Sequence, residues 1–158
     1  MKLKSLNRGL PGMLFFCFVR IAVPAQLPTT TLYTASVFTP KDGFTHGVEG
    51  PAVDKTGTVY AVNFARDGTI GKLSPAGEAT VFISLPEGSI GNGIRFDNQG
   101  NMLIADYVNH NVFRVDMKTK ELQALAHEPR MTQPNDLAVD SRGHVFASDP
   151  DFKANSGR

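Results

Sequence analysis

Cysteine is nearly absent. The 158-residue chain has one, Cys17, close to its start. Without a second cysteine, neither a disulfide framework nor a thiolate metal site can form. A cysteine-free body also suits an oxidising compartment. Charge of one sign is lacking too. The net charge is +1, and Lys2, Lys4, Arg8 and Arg20 stand in a leader with no acid. Beyond residue 25 acids outnumber bases, which excludes the clustered basic face that nucleic-acid binding requires. No apolar run reaches the ~20 residues needed to span a bilayer. No serine has a nucleophile-elbow context, Ser89 and Ser148 included, which sets a serine hydrolase aside. The His count is four, and no Cys or multi-His cluster competes for a soft metal. His110, His127 and His144 lack a carboxylate at a telling spacing and read as surface or strand-face residues.

The leader has its own pattern. Basic residues precede the apolar run Met13-Leu-Phe-Phe-Cys-Phe-Val19, which Arg20 interrupts before Ile21-Ala-Val23. Val23-Pro-Ala25 then offers small residues for cleavage. Residues 1–25 are therefore expected to be an export signal, placing the rest in the periplasm or outside the cell, free of membrane after cleavage. Residues 26–43 read as a linker ending in a strand, Leu32–Phe38, of the kind that closes a ring of blades.

What is abundant is repetition. Gln133-Pro-Asn-Asp-Leu-Ala-Val-Asp-Ser-Arg-Gly-His-Val-Phe-Ala-Ser-Asp149 overlies Gly91–Asp106 when slid back 43 residues, and Val48–Asn63 when slid back 43 more. Three positions recur without a slip: Asp54, Asp97 and Asp140; Gly57, Gly100 and Gly143; Glu49, Asn92 and Asn135. A period in the low forties made of short strands is the mark of a β-propeller blade. The predicted fold is all-β, with four-stranded blades over residues 44–158. Blade one is expected at Pro51–Asp54, Thr58–Val62, Thr69–Leu73 and Ala79–Leu85. Blade two is expected at Gly93–Asp97, Asn101–Asp106, Asn111–Asp116 and Glu121–Ala126. Blade three supplies two strands through Asp149, and its third would begin within Ala154–Arg158. That makes about two and a half blades, where a ring of six takes roughly 260 residues. The chain is thus expected to be the N-terminal half of a longer propeller.

The Asp-x-x-Gly pattern has a structural cause. Asp accepts from nearby backbone N–H groups, and Gly supplies φ > 0 where the hairpin turns. These aspartates are expected to build turns. Asp106 and Asp149, at the place held by Asn63, close the second strand of their blades and read as turn residues as well.

Glu49, Asn92 and Asn135 just precede the first strand of each blade, which is innermost in a propeller. They are expected to converge at one mouth of the central channel. Each offers oxygen, the donor that hard divalent cations select. His46 lies three residues before Glu49. The plainer alternative is that Asn92 and Asn135 are ordinary loop residues ahead of a strand. A lone carboxylate aimed into a narrow channel, however, calls for a partner.

Val48-Glu49-Gly50-Pro51 followed by Asn135-Asp136-Leu-Ala-Val-Asp-Ser-Arg-Gly143 resembles the senescence marker protein/gluconolactonase/luciferin-regenerating enzyme family, over about residues 44–150. The resemblance implies a six-bladed propeller with a divalent metal in its channel, Ca²⁺ foremost, with Mg²⁺, Zn²⁺ or Mn²⁺ as alternatives. It makes Glu49 and Asn135 metal ligands, and Asn92, Gln133 and Asn135 substrate-binding positions. Sugar-lactonase members carry Arg two residues before the third-blade Asn; this chain has Gln133 there. The fourth-blade Asn and the fifth-blade Asp that serves as general base would lie beyond Arg158. The implied activity is metal-dependent hydrolysis of a small lactone or ester. The same repeat also resembles the NHL repeat of non-catalytic propellers that bind sugars or proteins. A scaffold needs no carboxylate at Glu49, whereas a metal enzyme does.

Overall fold

The computed structural model describes residues 34–152 and 156–157. The chain separates into Met1–Ala35 and Ser36–Arg158, and the elements below belong to the second unit. Every element among the described residues is a strand. β1 (Ala52–Val53), β2 (Val59–Val62), β3 (Thr69–Leu73) and β4 (Ala79–Ser84) form one antiparallel sheet in chain order. β5 (Gly91–Phe96), β6 (Met102–Asp106), β7 (Asn111–Val115) and β8 (Leu122–His127) form a second of the same order. β9 (Leu137–Val139) and β10 (Val145–Ala147) begin a third. These are two propeller blades and the inner half of another.

The turns hold the blades in phase. Asp54 Oδ1 accepts from Thr56 N–H and Thr58 N–H, Asp97 Oδ1 from Gln99 and Asn101, and Asp140 Oδ1 from Arg142 and His144. Gly57, Gly100 and Gly143 lie at φ 86°, 88° and 87°, a region open to Gly at little cost. Burial alone would raise the carboxyls of Asp54 and Asp97, but hydrogen bonds from the Thr56 and Asn101 side chains, together with these backbone bonds, outweigh it and lower both.

Packing explains why the blades stack. The middle blade is covered on both sides, so β6 is buried along its whole length. Ile104 and Met102 join Tyr60, Val62, Ile70 and Phe113 in the core between the first two blades. Leu103 and Ala105, on the opposite face of β6, pack with Val112 and Leu137 towards the third. The alternation follows the two-residue period of a strand.

Two expectations are corrected. The ring-closing strand over Leu32–Phe38 lies partly outside the described residues; residues 34–38 carry no strand, and Val37 is 85 % exposed. Strand propensity yields a strand only where a ladder partner exists. At the other end, Ser156–Gly157 (β12) pairs with Pro150–Asp151 (β11), not with β10. The Asp149 carboxylate accepts from Thr132 N–H and Gln133 N–H at 2.8 Å.

Candidate functional site

Two features bring the inner strands together. The first is a glycine step between neighbouring blades. Gly50 lies at φ 54°, and a Cβ there would stand 2.0 Å from the Asn92 carbonyl oxygen. One blade later, a Cβ on Gly93 would stand 2.7 Å from the Asn135 carbonyl oxygen. Only a missing side chain permits this approach. Gly93 N–H donates to that same Asn135 oxygen at 2.7 Å. The second feature is an irregularity in the β5–β6 ladder between Gly91 and Ile94, where Asn92 sits. Such bulges re-aim a side chain.

Glu49, Asn92 and Asn135 consequently line one cavity of about 290 Å³. Their backbones are held: the Glu49 carbonyl accepts from Val62 N–H at 3.1 Å, and Asn135 N–H donates to the Ser148 carbonyl at 2.9 Å. Their side chains have no hydrogen-bond partner among the described residues. Arg95 and Asp136 line the same cavity and form an ion pair at 2.7 Å. Asp136 Oδ1 accepts from its neighbour Leu137 N–H at 2.8 Å, so both its oxygens are engaged. Glu49 and Asn92 also face a larger cavity of about 580 Å³, which takes in His46, Asn63, Arg66 and Tyr107.

Gln133 lines neither cavity. Its N–H is held by Asp149, and its Oε1 is buried without a partner. A buried unpaired oxygen costs about 1–3 kcal/mol. Asp106 is fully buried and accepts from Ile90, Val108 and Asn109 N–H groups. Asp106 and Asp149 thus each hold backbone N–H groups through Oδ1. Ser148 Oγ accepts from Asp136 N–H, and Ser89 Oγ from Asn109 Nδ2; neither is paired with a histidine. His127 Nδ1 meets Asn111 Oδ1. His144, against expectation, does have a carboxylate partner: Asp140 Oδ2 at 2.9 Å, on the exposed hairpin turn.

The cavity can hold a cation only through oxygen. No group of three His, Cys, Asp or Glu among the described residues is placed to bind a metal. One carboxylate and two amide oxygens suit Ca²⁺ or Mg²⁺ better than Zn²⁺. Sequence reasoning missed Arg95, Asp136 and the glycine step. The recurrence of Gly50 and Gly93 one residue after the candidate ligands was the available signal.

A model of the SMP-30/Gluconolactonase/LRE-like region matches residues 47–158. Among solved structures, a gluconolactonase from Xanthomonas campestris is similar at 20% identity and a TM-score of 0.60, over 70% of this chain and 37% of that one. Virginiamycin B lyase from Staphylococcus aureus is similar at 14% identity and a TM-score of 0.56, over 73% of this chain and 42% of that one. The chain thus spans about two fifths of the length of each. No curated protein matches it. Both structures share the architecture of stacked four-stranded blades, and the residues matched by the family model include Glu49, Asn92 and Asn135. The chain belongs to the SMP-30/Gluconolactonase/LRE-like family.

Proposed function

We propose that this chain carries part of the divalent-metal site of an exported hydrolase acting on a small lactone or ester. One observation carries the reading: Glu49, Asn92 and Asn135, each with an oxygen-bearing side chain, line a single cavity, and those side chains have no hydrogen-bond partner among the described residues. Glu49 and Asn135 would hold the cation, Ca²⁺ by the donor set, with Asn92 and Asn135 orienting substrate beside it. A bound cation would supply Lewis acidity for the carbonyl being attacked. Glu49 supplies the negative charge that retains it. Asp106 and Asp149 are read as loop-holding residues and not as the base that activates water, because Oδ1 of each accepts from two or more backbone N–H groups and neither lines the cavity. The basic leader and its apolar run support export.

A non-catalytic propeller is the second reading. Its support is that the cavity offers a cation a single carboxylate among the described residues, since Asp136 is tied to Arg95. Calorimetric titration of Ca²⁺ into the full chain, with Glu49→Gln alongside, separates the two. Micromolar to low-millimolar binding that also raises the melting temperature, and that Glu49→Gln abolishes, is the expected result. A cooperatively melting chain that binds no Ca²⁺ favours the scaffold.

A further inference from the structure

The end of each blade's second strand carries one buried polar residue: Asn63, Asp106 and Asp149, at 3%, 0% and 5% exposure. Each reaches back to the same point in its own blade. Asn63 Nδ2 donates to the Gly47 carbonyl at 2.6 Å. Asp106 Oδ1 accepts from Ile90 N–H at 3.2 Å. Asp149 Oδ1 accepts from Gln133 N–H at 2.8 Å. Gly47, Ile90 and Gln133 stand two residues before Glu49, Asn92 and Asn135. We propose that Asn63, Asp106 and Asp149 are positioning residues, each fixing the loop end that delivers one side chain to the cavity. The assignment rests on the reading of those three side chains as metal and substrate contacts.

The chemistry of each clamp matches its target. In blade one the target is a carbonyl, and an amide can donate to it. The same amide accepts from Gly68 N–H through Oδ1, so both ends of Asn63 are used. A carboxylate has no proton to give at that place. In blades two and three the targets are N–H groups, and a carboxylate accepts several at once. Asp106 gathers three backbone N–H groups on one oxygen and Asn111 Nδ2 on the other. Asp149 takes Thr132 N–H as well. Losing a group that orients a ligand from behind typically costs about 10–100-fold in metal affinity. The inner strands β1 and β9 are only two and three residues long. The side-chain clamps add to the few backbone bonds that hold Glu49 and Asn135 beside these short ladders.

The test is amide hydrogen exchange on the full chain, with and without Ca²⁺ as the probe ligand. Asn63→Asp removes the donor while preserving shape. Exchange across Thr45–Glu49 is expected to rise about tenfold, as for loss of one well-made hydrogen bond, while β5 and β6 stay as protected as before. Asp106→Asn, which keeps an acceptor oxygen for Ile90 N–H, is expected to show a smaller rise at Ser89–Asn92. Calcium affinity should fall about tenfold in Asn63→Asp and less in Asp106→Asn. An unchanged rate at Thr45–Glu49 overturns the assignment, and so does an equal rise throughout β5 and β6. If the unaltered chain binds no Ca²⁺, the metal reading fails, and the exchange pattern still decides the clamp. Should Asn63→Asp lose its cooperative melt, Asp149→Ala with exchange read across Met131–Asn135 carries the same two outcomes.

Discussion

At the scale of single residues, proton affinity reports how the blade is built. The Tyr60 hydroxyl donates to Asp54 Oδ2 at 3.2 Å. Burial first, and the Asp54 charge second, push the Tyr60 pKa from 10.0 up to about 12. The folded chain therefore keeps a proton that the unfolded chain releases near pH 10. This contribution is complete below pH 10 and is lost as pH rises towards 12, on the order of 2 kcal/mol in all. Urea unfolding midpoints across that window should fall more steeply for the native chain than for Tyr60→Phe. Parallel curves for the two proteins would place the alkaline loss elsewhere.

At the scale of elements, the glycine step is a close backbone approach between neighbouring blades. A Cβ on Gly93 would meet the Asn135 carbonyl oxygen and the Asp136 Cα just ahead of β9, backbone atoms that cannot swing aside. Gly93→Ala is expected to cost about 1–3 kcal/mol through overpacking. Chemical denaturation measures this directly, and a neutral result would mean that β9 shifts freely. The elements were also where the sequence was most readable. Strands in the first two blades fall within two residues of their expected ends, because Asp-x-x-Gly marks each hairpin and the 43-residue period carries one blade's assignment to the next. The same period located Glu49, Asn92 and Asn135. It could not locate the Arg95–Asp136 pair, because the equivalents of Arg95 are Ala52 and Ala138, and those of Asp136 are Gly50 and Gly93. A contact made once, between blades, leaves no trace in a repeat. Leu32–Phe38 misled for the opposite reason: its local pattern suits a strand, but pairing is not a local property.

At the scale of the whole molecule, the end blades differ from the middle one in what they leave uncovered. Phe146 on β10 is 59 % exposed, and β9 is the only ladder partner of β10 among the described strands. Val53, at 59 %, and Val81, at 50 %, are exposed in the first blade. Exposed apolar groups beside an unpaired strand edge favour self-association. Phe146→Lys is therefore expected to raise the concentration at which light scattering first detects association. Its effect on stability should stay within about 0.5 kcal/mol, as for an exposed position. Equal scattering from both proteins would remove β10 as the contact.

The core between the first two blades also has a history in time. Tyr60, Val62 and Ile70 come from the first blade, and Ile94, Ile104 and Phe113 from the second. A ribosome adding about 5–20 residues per second completes the first set several seconds before the second emerges. During that interval half of the core faces water or a chaperone. The arrival of β5 and β6 is what covers the nascent first blade.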